Sequence, residues 1–127
     1  MGQKGGRTEE RQGLMKISSY TFGKIVIDAV TYSSDVIIYP ARVDASWRRK
    51  KGHRLAMNDL SGVWRQHPET LIIGTGCHGR MAVPEATREA ILAKKVDLRA
   101  VTTDEAVVMF NKLAAMGKVV AALHLTC

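Results

Sequence analysis

The chain of 127 residues is short of cysteine and aromatic residues, and both shortages limit what it can be. Its two cysteines, Cys77 and Cys127, cannot build a disulfide framework, and neither lies in a C-x-x-C pair, so we expect free thiols in a reducing compartment. The four histidines show no recognised metal-ligand spacing, so no metal site is expected. Aromatic residues make up only 6% of the chain, which argues against a surface that stacks nucleic-acid bases.

Long apolar runs are also missing. No run approaches the roughly 18 residues of a membrane-spanning helix, and the first 13 residues, MGQKGGRTEERQG, are polar where a signal peptide would be apolar. We therefore expect a cytoplasmic protein without a membrane span. Residues 1–13 are predicted to be a disordered lead-in, followed by a single domain over residues 14–127.

Positive charge is in excess, and most of the excess is local. The formal net charge is +7, and the segment RRKKGHR at 48–54 holds five basic residues and no acid. Such a segment could bind an acidic protein surface, follow a phosphate backbone, or remain a solvated charged loop. Because no nucleic-acid-binding motif accompanies it, we expect an unidentified protein partner rather than a nucleic acid. The residues assigned to partner binding are Trp47, Arg48, Arg49, Lys51 and His53.

The first half of the chain reads as antiparallel β structure. Short runs of β-branched and aromatic residues predict strands near 16–20, 24–28 and 35–39. Asp28-Ala29 stands where a hairpin turn would prefer Asp-Gly. Residues 41–57 show neither the helical nor the strand period and predict an exposed basic loop. A short helix is expected to begin at Asn58 or Asp59 and to run through Gln66.

The second half alternates strands and helices. Apolar runs at 71–74, 96–101 and 119–125 predict strands, and Pro84-Glu85 is expected to open the first intervening helix. The second helix is predicted to follow a capping box from Thr102 to Glu105 and to end at Gly117. Because a β-α-β-α-β order implies parallel strands, the chain is predicted to be one α/β domain with an antiparallel β-rich front.

The stretch LIIGTGCHGRMAVPEA at 71–86 matches G-x-G-x-x-G and also part of a P-loop. A dinucleotide site is not expected, because four residues separate the last glycine from Pro84 instead of placing it in the first helical turn. A P-loop is not expected either, because Arg80-Met81 stands where Lys-Ser or Lys-Thr is needed. The sequence therefore predicts no nucleotide cofactor, and no other cofactor is expected.

Two interpretations of the glycines remain open. In the first they form only a strand-to-helix turn. In the second they belong to a site for a small anionic or acyl ligand, since ligands in open α/β sheets bind beyond the carboxyl ends of the strands. The residues assigned to that ligand site are Gly74, Gly76, Gly79, Thr102 and Thr126.

Cys77 and His124 are weak candidates for catalysis, as a thiolate nucleophile and its general base. No acid is visibly placed to orient the base. An inert free thiol and a hydrogen-bonded core histidine are the structural alternatives. The sequence therefore favours a non-enzymatic protein and leaves the question of catalysis open.

The order of these motifs resembles a known family. The segments that carry the resemblance are ISSYTFGKIVIDAVTY, DVIIYP, SWRRKKGH, PETLIIGTGCHGRMAVP and TTDEAVVMFNKLAAMGKVVAALHLTC, which together span most of residues 16–127. The chain is similar to the Mth-type hypothetical proteins, a family that includes an adipogenesis-associated Mth-domain protein and a mitochondrial assembly factor of respiratory complex I.

The resemblance implies a single three-layer α/β domain around a mixed central sheet. It implies no enzymatic activity for the family as a whole, and its better-studied relatives look like assembly or signalling partners. The expected function is therefore that of a small soluble protein that acts by protein–protein docking or complex assembly. The positions that match the family's recurring residues are Gly74, Gly76, Gly79, Arg49, Gly52, His53, His124, Thr126 and Cys127.

Overall fold

The computed structural model describes residues 15–127, so the predicted lead-in at 1–13 lies outside the described residues. These residues form eight strands, two α-helices and two short 3₁₀ helices. The 3₁₀ helices are Met57–Leu60 and Trp64–Gln66. The other elements are β1 (Ile17–Thr21), β2 (Lys24–Ile27), β3 (Val30–Tyr32), β4 (Val36–Ile38), β5 (Val43–Asp44), β6 (Thr70–Thr75), α1 (Glu85–Leu92), β7 (Asp97–Val101), α2 (Thr103–Leu113) and β8 (Val119–His124).

A five-stranded mixed sheet forms the centre of the domain, with the strand order β5-β4-β8-β6-β7. Strand β6 pairs in parallel with both β7 and β8, as expected for strands joined by helical crossovers. Strand β4 pairs antiparallel with β8 and with β5. The predicted parallel arrangement of the last three strands is therefore confirmed.

The side chains of β8 show how the central sheet divides the core. Val119, Ala121 and Leu123 belong to one hydrophobic cluster, whereas Val120 and Ala122 belong to the other, because successive side chains of a strand point to opposite faces. Helix α2 and the separate three-stranded sheet β1-β2-β3 cover the first face. Helix α1 and the two 3₁₀ helices cover the second face. The predicted α/β fold with three layers is thus confirmed.

The turn between β2 and β3 is formed by Asp28 and Ala29, with φ angles of 49° and 69°. Two consecutive positive φ angles are the mark of a type I′ turn, in which Asp-Gly is the preferred pair. Asp28 also accepts a hydrogen bond from Lys16 N–H at 3.0 Å. The sequence therefore makes the expected hairpin turn with alanine in the position that glycine would occupy with less strain.

Several predicted boundaries were wrong. The segment expected to be one helix through Gln66 forms two 3₁₀ turns instead, the first of which follows Ala56. Helix α2 ends at Leu113, with Ala114 as its C-cap residue, and so stops before Gly117. Thr102 is its N-cap residue but makes no capping bond, because its hydroxyl donates to Glu105 at 3.3 Å. Among the described residues, no helix is long and apolar enough to cross a membrane.

The prediction of an exposed loop over 41–57 was also partly wrong. This segment contains β5, which pairs with β4, and it buries two apolar side chains, Trp47 and Leu55. Strand β3 was not predicted either. Both missed strands are two or three residues long, too short to show a period of two.

Candidate functional site

The carboxyl ends of β6 and β8 bring three segments of the chain together. The parallel register of these strands ends at the pair Thr75 and His124, and the next residues continue side by side. Cys77 N–H donates to Thr126 O at 3.0 Å, and Gly76 exchanges hydrogen bonds with Thr103 at the start of α2. The structure thus brings the glycine loop (residues 74–79), the start of α2 and the segment 124–127 to one edge of the sheet.

Close approach of neighbouring groups explains two of the three glycines. Gly76 has a φ of +103°, and a Cβ atom there would lie 2.6 Å from Thr126 O and 2.9 Å from His124 Cδ2. At Gly74 a Cβ atom would lie 2.8 Å from Leu123 Cδ2. Gly79, with a φ of +68°, has no neighbour closer than 3.6 Å. The packing at Gly74 and Gly76 therefore requires glycine whether or not a ligand binds.

Three amide groups of the glycine loop already donate hydrogen bonds within the fold. Gly76 N–H donates to Thr103 Oγ1 at 2.9 Å, Cys77 N–H to Thr126 O at 3.0 Å, and Gly79 N–H to Gly76 O at 3.2 Å. A loop that binds an anion needs such groups free and converging on one point. These contacts favour the interpretation of the glycine loop as a strand-to-helix turn.

Thr103, which the sequence interpretation did not assign to the site, joins the three segments. Its side chain is fully buried, and its hydroxyl donates to His124 O at 2.6 Å while accepting from Gly76 N–H. Thr102 and Thr126, which were assigned to the ligand site, are half-buried. Thr103 is the first residue of α2, and its side chain points into the protein, whereas that of Thr102 is half-buried. The sequence does not show which of the two adjacent threonines points inward.

A largely buried polar cluster lies beside this edge and consists of Asp35, Arg49 and His124. Asp35 Oδ2 is 2.8 Å from Arg49 and 2.8 Å from His124 Nδ1, and its other oxygen accepts from Leu125 N–H at 2.7 Å. The Arg49 guanidinium lies 4.7 Å from the centre of the Trp47 ring. Asp35, the residue just before β4, therefore orients the imidazole ring of His124 at the end of β8.

Hydrogen bonds favour the ionised form of the Asp35 carboxyl group and so lower its pKa. Burial alone would raise its pKa, but hydrogen bonds from His124, from Leu125 N–H and from Arg49 outweigh burial and hold the pKa below the ordinary value. Asp35 is the acid that the sequence did not reveal beside His124. It was missed because 89 residues separate the two positions along the chain.

The basic loop (residues 48–54) divides into inward and outward side chains. Of the predicted partner-binding residues, Trp47 is buried, and its indole N–H donates to Asp59 O at 2.8 Å. The Arg49 side chain is only 5% exposed because of its ion pair with Asp35. Arg48, Lys51 and His53 are exposed, as are two cations not previously singled out, Lys50 and Arg54.

The sequence analysis did not predict two contacts of histidine and cysteine side chains: a pair of histidines, and a group of two cysteines with one histidine. The rings of His53 and His124 meet edge to face, with 5.6 Å between their centres. The ligand atoms of Cys77, His78 and Cys127 all lie within 4.8 Å of one another. Desolvation and the neighbouring Cys127 thiol raise the pKa of Cys77, which makes Cys77 a weaker nucleophile at neutral pH. Catalysis by Cys77 and His124 stays a prediction.

Tyr20 connects the small sheet to the same edge. Its hydroxyl donates to Leu125 O at 2.7 Å, and Gly23 N–H donates to the same oxygen at 2.8 Å. Burial, together with nearby negative groups, raises the pKa of Tyr20 to about 12. The first strands of the chain therefore hold the segment after β8 in place.

These features define a mixed α/β domain. The end of its last strand, the glycine loop and the start of α2 meet at one edge of the central sheet. The chain belongs to the family of proteins of unknown function DUF498/DUF598, whose model matches residues 17–124. The Mth-type resemblance inferred from the motifs is thereby confirmed, since a solved relative is described as a Mth938-like domain.

Solved structures share this fold over most of the chain. A conserved hypothetical protein, PH1505 of Pyrococcus horikoshii, is 26% identical with a TM-score of 0.77, over 89% of this chain and 100% of that one. A protein described as an outer membrane protein of Bartonella henselae is 24% identical with a TM-score of 0.76, over 91% and 98% of the two chains. A Mth938-like domain protein of Bordetella pertussis is 22% identical with a TM-score of 0.66, over 94% and 90%. The last two likenesses show the fold alone.

Proposed function

We propose that this protein acts by docking and binds an acidic surface of another protein through the outward cations of the basic loop: Arg48, Lys50, Lys51 and Arg54. The observation that carries the proposal is the exposure of these four side chains without an ion pair to any of residues 15–127. Four exposed cations within seven residues, none of them ion-paired within residues 15–127, create a local positive potential that attracts a complementary acidic surface.

The basic loop is held in one conformation before any partner arrives. Arg49 Nε donates to Gly52 O at 2.9 Å, while its guanidinium pairs with Asp35. On the other side, Ala82 N–H donates to His53 O at 2.8 Å and Leu55 N–H donates to Ala82 O at 2.9 Å. Because the backbone is already ordered, binding loses less conformational entropy than it would with a flexible loop.

The position of Trp47 favours a protein partner over a nucleic acid. A single-stranded nucleic acid would gain affinity from an aromatic ring on which its bases stack. Trp47, the aromatic residue next to these cations, is buried and is covered by Arg49. The likeness to a family that includes an assembly factor also supports a docking role.

The alternative, a small anionic or acyl ligand at the glycine loop, has weaker support. The predicted residues do meet at one edge of the sheet. However, the N–H groups of Gly76, Cys77 and Gly79 already donate hydrogen bonds within the fold. The prediction stays open to a ligand-binding assay, and the docking proposal does not depend on it.

The test compares capture by the wild-type protein with capture by a variant in which Arg48, Lys51 and Arg54 are each changed to Glu. A zero-length carbodiimide reagent, which joins lysine amines to carboxylates, is applied to a nuclease-treated lysate. We expect a specific protein to be cross-linked to Lys50 or Lys51 through its own Asp or Glu, and we expect the charge-reversed variant to lose it. Capture should weaken as salt rises.

The matched control reverses three exposed cations elsewhere, with Lys24, Arg65 and Lys112 each changed to Glu. This variant carries the same net charge and should retain the partner. Equal capture by both variants would contradict the proposal. A second outcome would also contradict it: no protein is captured, the wild-type protein is retained on a DNA or RNA duplex, and the charge-reversed variant is not. That outcome would assign the surface to nucleic acid.

A further inference from the structure

We propose that Cys77, His78 and Cys127 form a binding site for a thiophilic divalent ion such as Zn²⁺, with two sulfur ligands and one imidazole nitrogen. These are the only two cysteines of the chain, and they come from segments 50 residues apart in sequence. All three ligand atoms lie within 4.8 Å of one another. The site is separate from the basic loop and does not rest on the docking proposal.

The register of the central sheet produces this meeting. The parallel pairing of β6 with β8 ends at Thr75 and His124. Beyond that pair the hydrogen bond from Cys77 N–H to Thr126 O keeps the two segments adjacent at 3.0 Å. Gly76 has no Cβ atom, which allows this close approach: a Cβ atom there would lie 2.6 Å from Thr126 O. The backbone therefore brings the two sulfur atoms together independently of any ion.

The ligand set and its spacing suit zinc. Zinc binds cysteine sulfur at about 2.3 Å and histidine nitrogen at about 2.0 to 2.1 Å in a tetrahedron, which sets two sulfurs and one nitrogen about 3.5 to 3.8 Å apart. The ligand atoms lie within 4.8 Å of one another, so an ion needs to draw them together by only about 1 Å. His78 is exposed, so the fourth position faces solvent and would take water or an incoming ligand.

The sequence concealed this site for a specific reason. Zinc motifs are recognised by two ligands two to four residues apart, followed by a second such pair. Here two ligands, Cys77 and His78, are adjacent, and the third comes from the segment after β8. Only the parallel pairing of two strands places them together. The expectation of no metal site rested on spacing along the chain, which carries no information about this pairing.

The test uses untagged protein with reduced thiols, handled without oxygen and titrated with CoCl₂. Tetrahedral cobalt with thiolate ligands gives intense visible bands and a charge-transfer band, both absent from hexa-aqua cobalt. We expect one Co²⁺ per chain and its displacement by one equivalent of ZnCl₂. The variants C77S and C127S should lose the charge-transfer intensity stepwise, and H78Q should weaken binding about 10-fold or more.

The control for H78Q is His67→Asn, which removes another exposed imidazole and keeps a residue type that tolerates the φ of 49° at that position. This variant should bind as the wild-type protein does. Because His78 is exposed, H78Q should fold, so unchanged Co²⁺ affinity and spectrum in H78Q would overturn the proposal. An octahedral spectrum in the wild-type protein would overturn it as well. So would a disulfide between Cys77 and Cys127 in air combined with no cobalt bands after reduction, because that result would make the pair a redox site.

Discussion

The basic loop and the glycine loop are the two most distinctive stretches of the sequence, and the fold uses them in opposite ways. In the glycine loop the backbone is in close contact with its neighbours, and the N–H groups of Gly76 and Cys77 donate hydrogen bonds within the protein. In the basic loop one arginine, Arg49, is directed inward and holds the loop, while the other cations extend into solvent. The glycines of a motif that suggests a ligand thus take part in close packing, whereas most cations of the basic loop are exposed in the described part of the chain.

The comparison shows that residue type does not determine exposure. Arg48 and Arg49 are neighbours with the same side chain, yet one is exposed and the other is only 5% exposed. Gly52 and Gly76 differ in the same manner. A Cβ atom at Gly52 would meet nothing within 4 Å, whereas one at Gly76 would meet Thr126 O at 2.6 Å. These two pairs allow the contrast to be tested with matched substitutions.

The largest effect is expected from the arginine pair. Arg49→Ala removes one partner of a buried ion pair and leaves Asp35 without its cation, so the free energy of unfolding should fall by about 3 to 5 kcal/mol. Arg48→Ala should change it by about 0.5 kcal/mol or less, because that side chain is exposed. Urea unfolding of both variants measures the difference. Equal stabilities would show that Arg49 does not anchor the loop.

The glycine pair should give the next effect. Gly76→Ala places a Cβ atom against Thr126 O at a φ of +103°, and the combined strain and overlap should cost about 3 kcal/mol. Gly52→Ala, in open space, should be neutral within about 0.5 kcal/mol. Thermal and urea unfolding report both values. A mild effect at Gly76 would mean that the segment after His124 can move away and that the edge is less closely packed.

A smaller effect is expected at Thr103. Thr103→Val keeps the shape of the side chain but leaves Gly76 N–H and His124 O without their buried partner, at a cost of about 2 kcal/mol. Thr102→Val serves as the control, because the Thr102 hydroxyl bonds to the Glu105 carboxylate at 3.3 Å in an exposed position. Comparable losses in both variants would assign the effect to the helix terminus rather than to the junction of the three segments.

The smallest effect is the contribution of Asp35 to the pH dependence of stability. Its folded-state pKa is lower than that of an unfolded aspartate, which is about 3.9. Its stabilising contribution is therefore complete above the unfolded value and is lost as the pH falls through the folded pKa. Urea unfolding between about pH 6 and pH 2.5 should show a flatter acid limb for Asp35→Asn than for the wild-type protein. Parallel curves would contradict the assignment.

The sequence predicted the parts of the fold that depend on local pattern. The apolar runs that became β6, β7 and β8 and the alternation of strands with helices led directly to the parallel pairing. Strands β3 and β5 were missed because two or three residues carry no measurable period. The end of α2 was misplaced because Gly117 is a typical stop signal, yet the helix ends at Leu113.

The candidate sites were predictable only as far as neighbours along the chain allowed. The carboxyl edge and its three segments followed from the topology rule for parallel sheets. The carboxylate of Asp35 could not be assigned to His124, because that contact depends on β4 pairing antiparallel with β8. The same holds for Cys77 and Cys127, which are adjacent only through the pairing of β6 with β8. Contacts between distant strands depend on packing free energy, which local pattern does not show.

The central position of β8 has a consequence for exchange of its amide hydrogens with solvent. All six residues of β8 are buried, and β4 and β6 flank it on both sides, so its amides should exchange only through global unfolding. The edge strand β7 should exchange faster through local opening. His124, and the segment after it that holds Cys127, are therefore attached to the slowest-exchanging part of the molecule. Deuterium uptake at the basic loop can then report a bound partner against an internal reference that does not change.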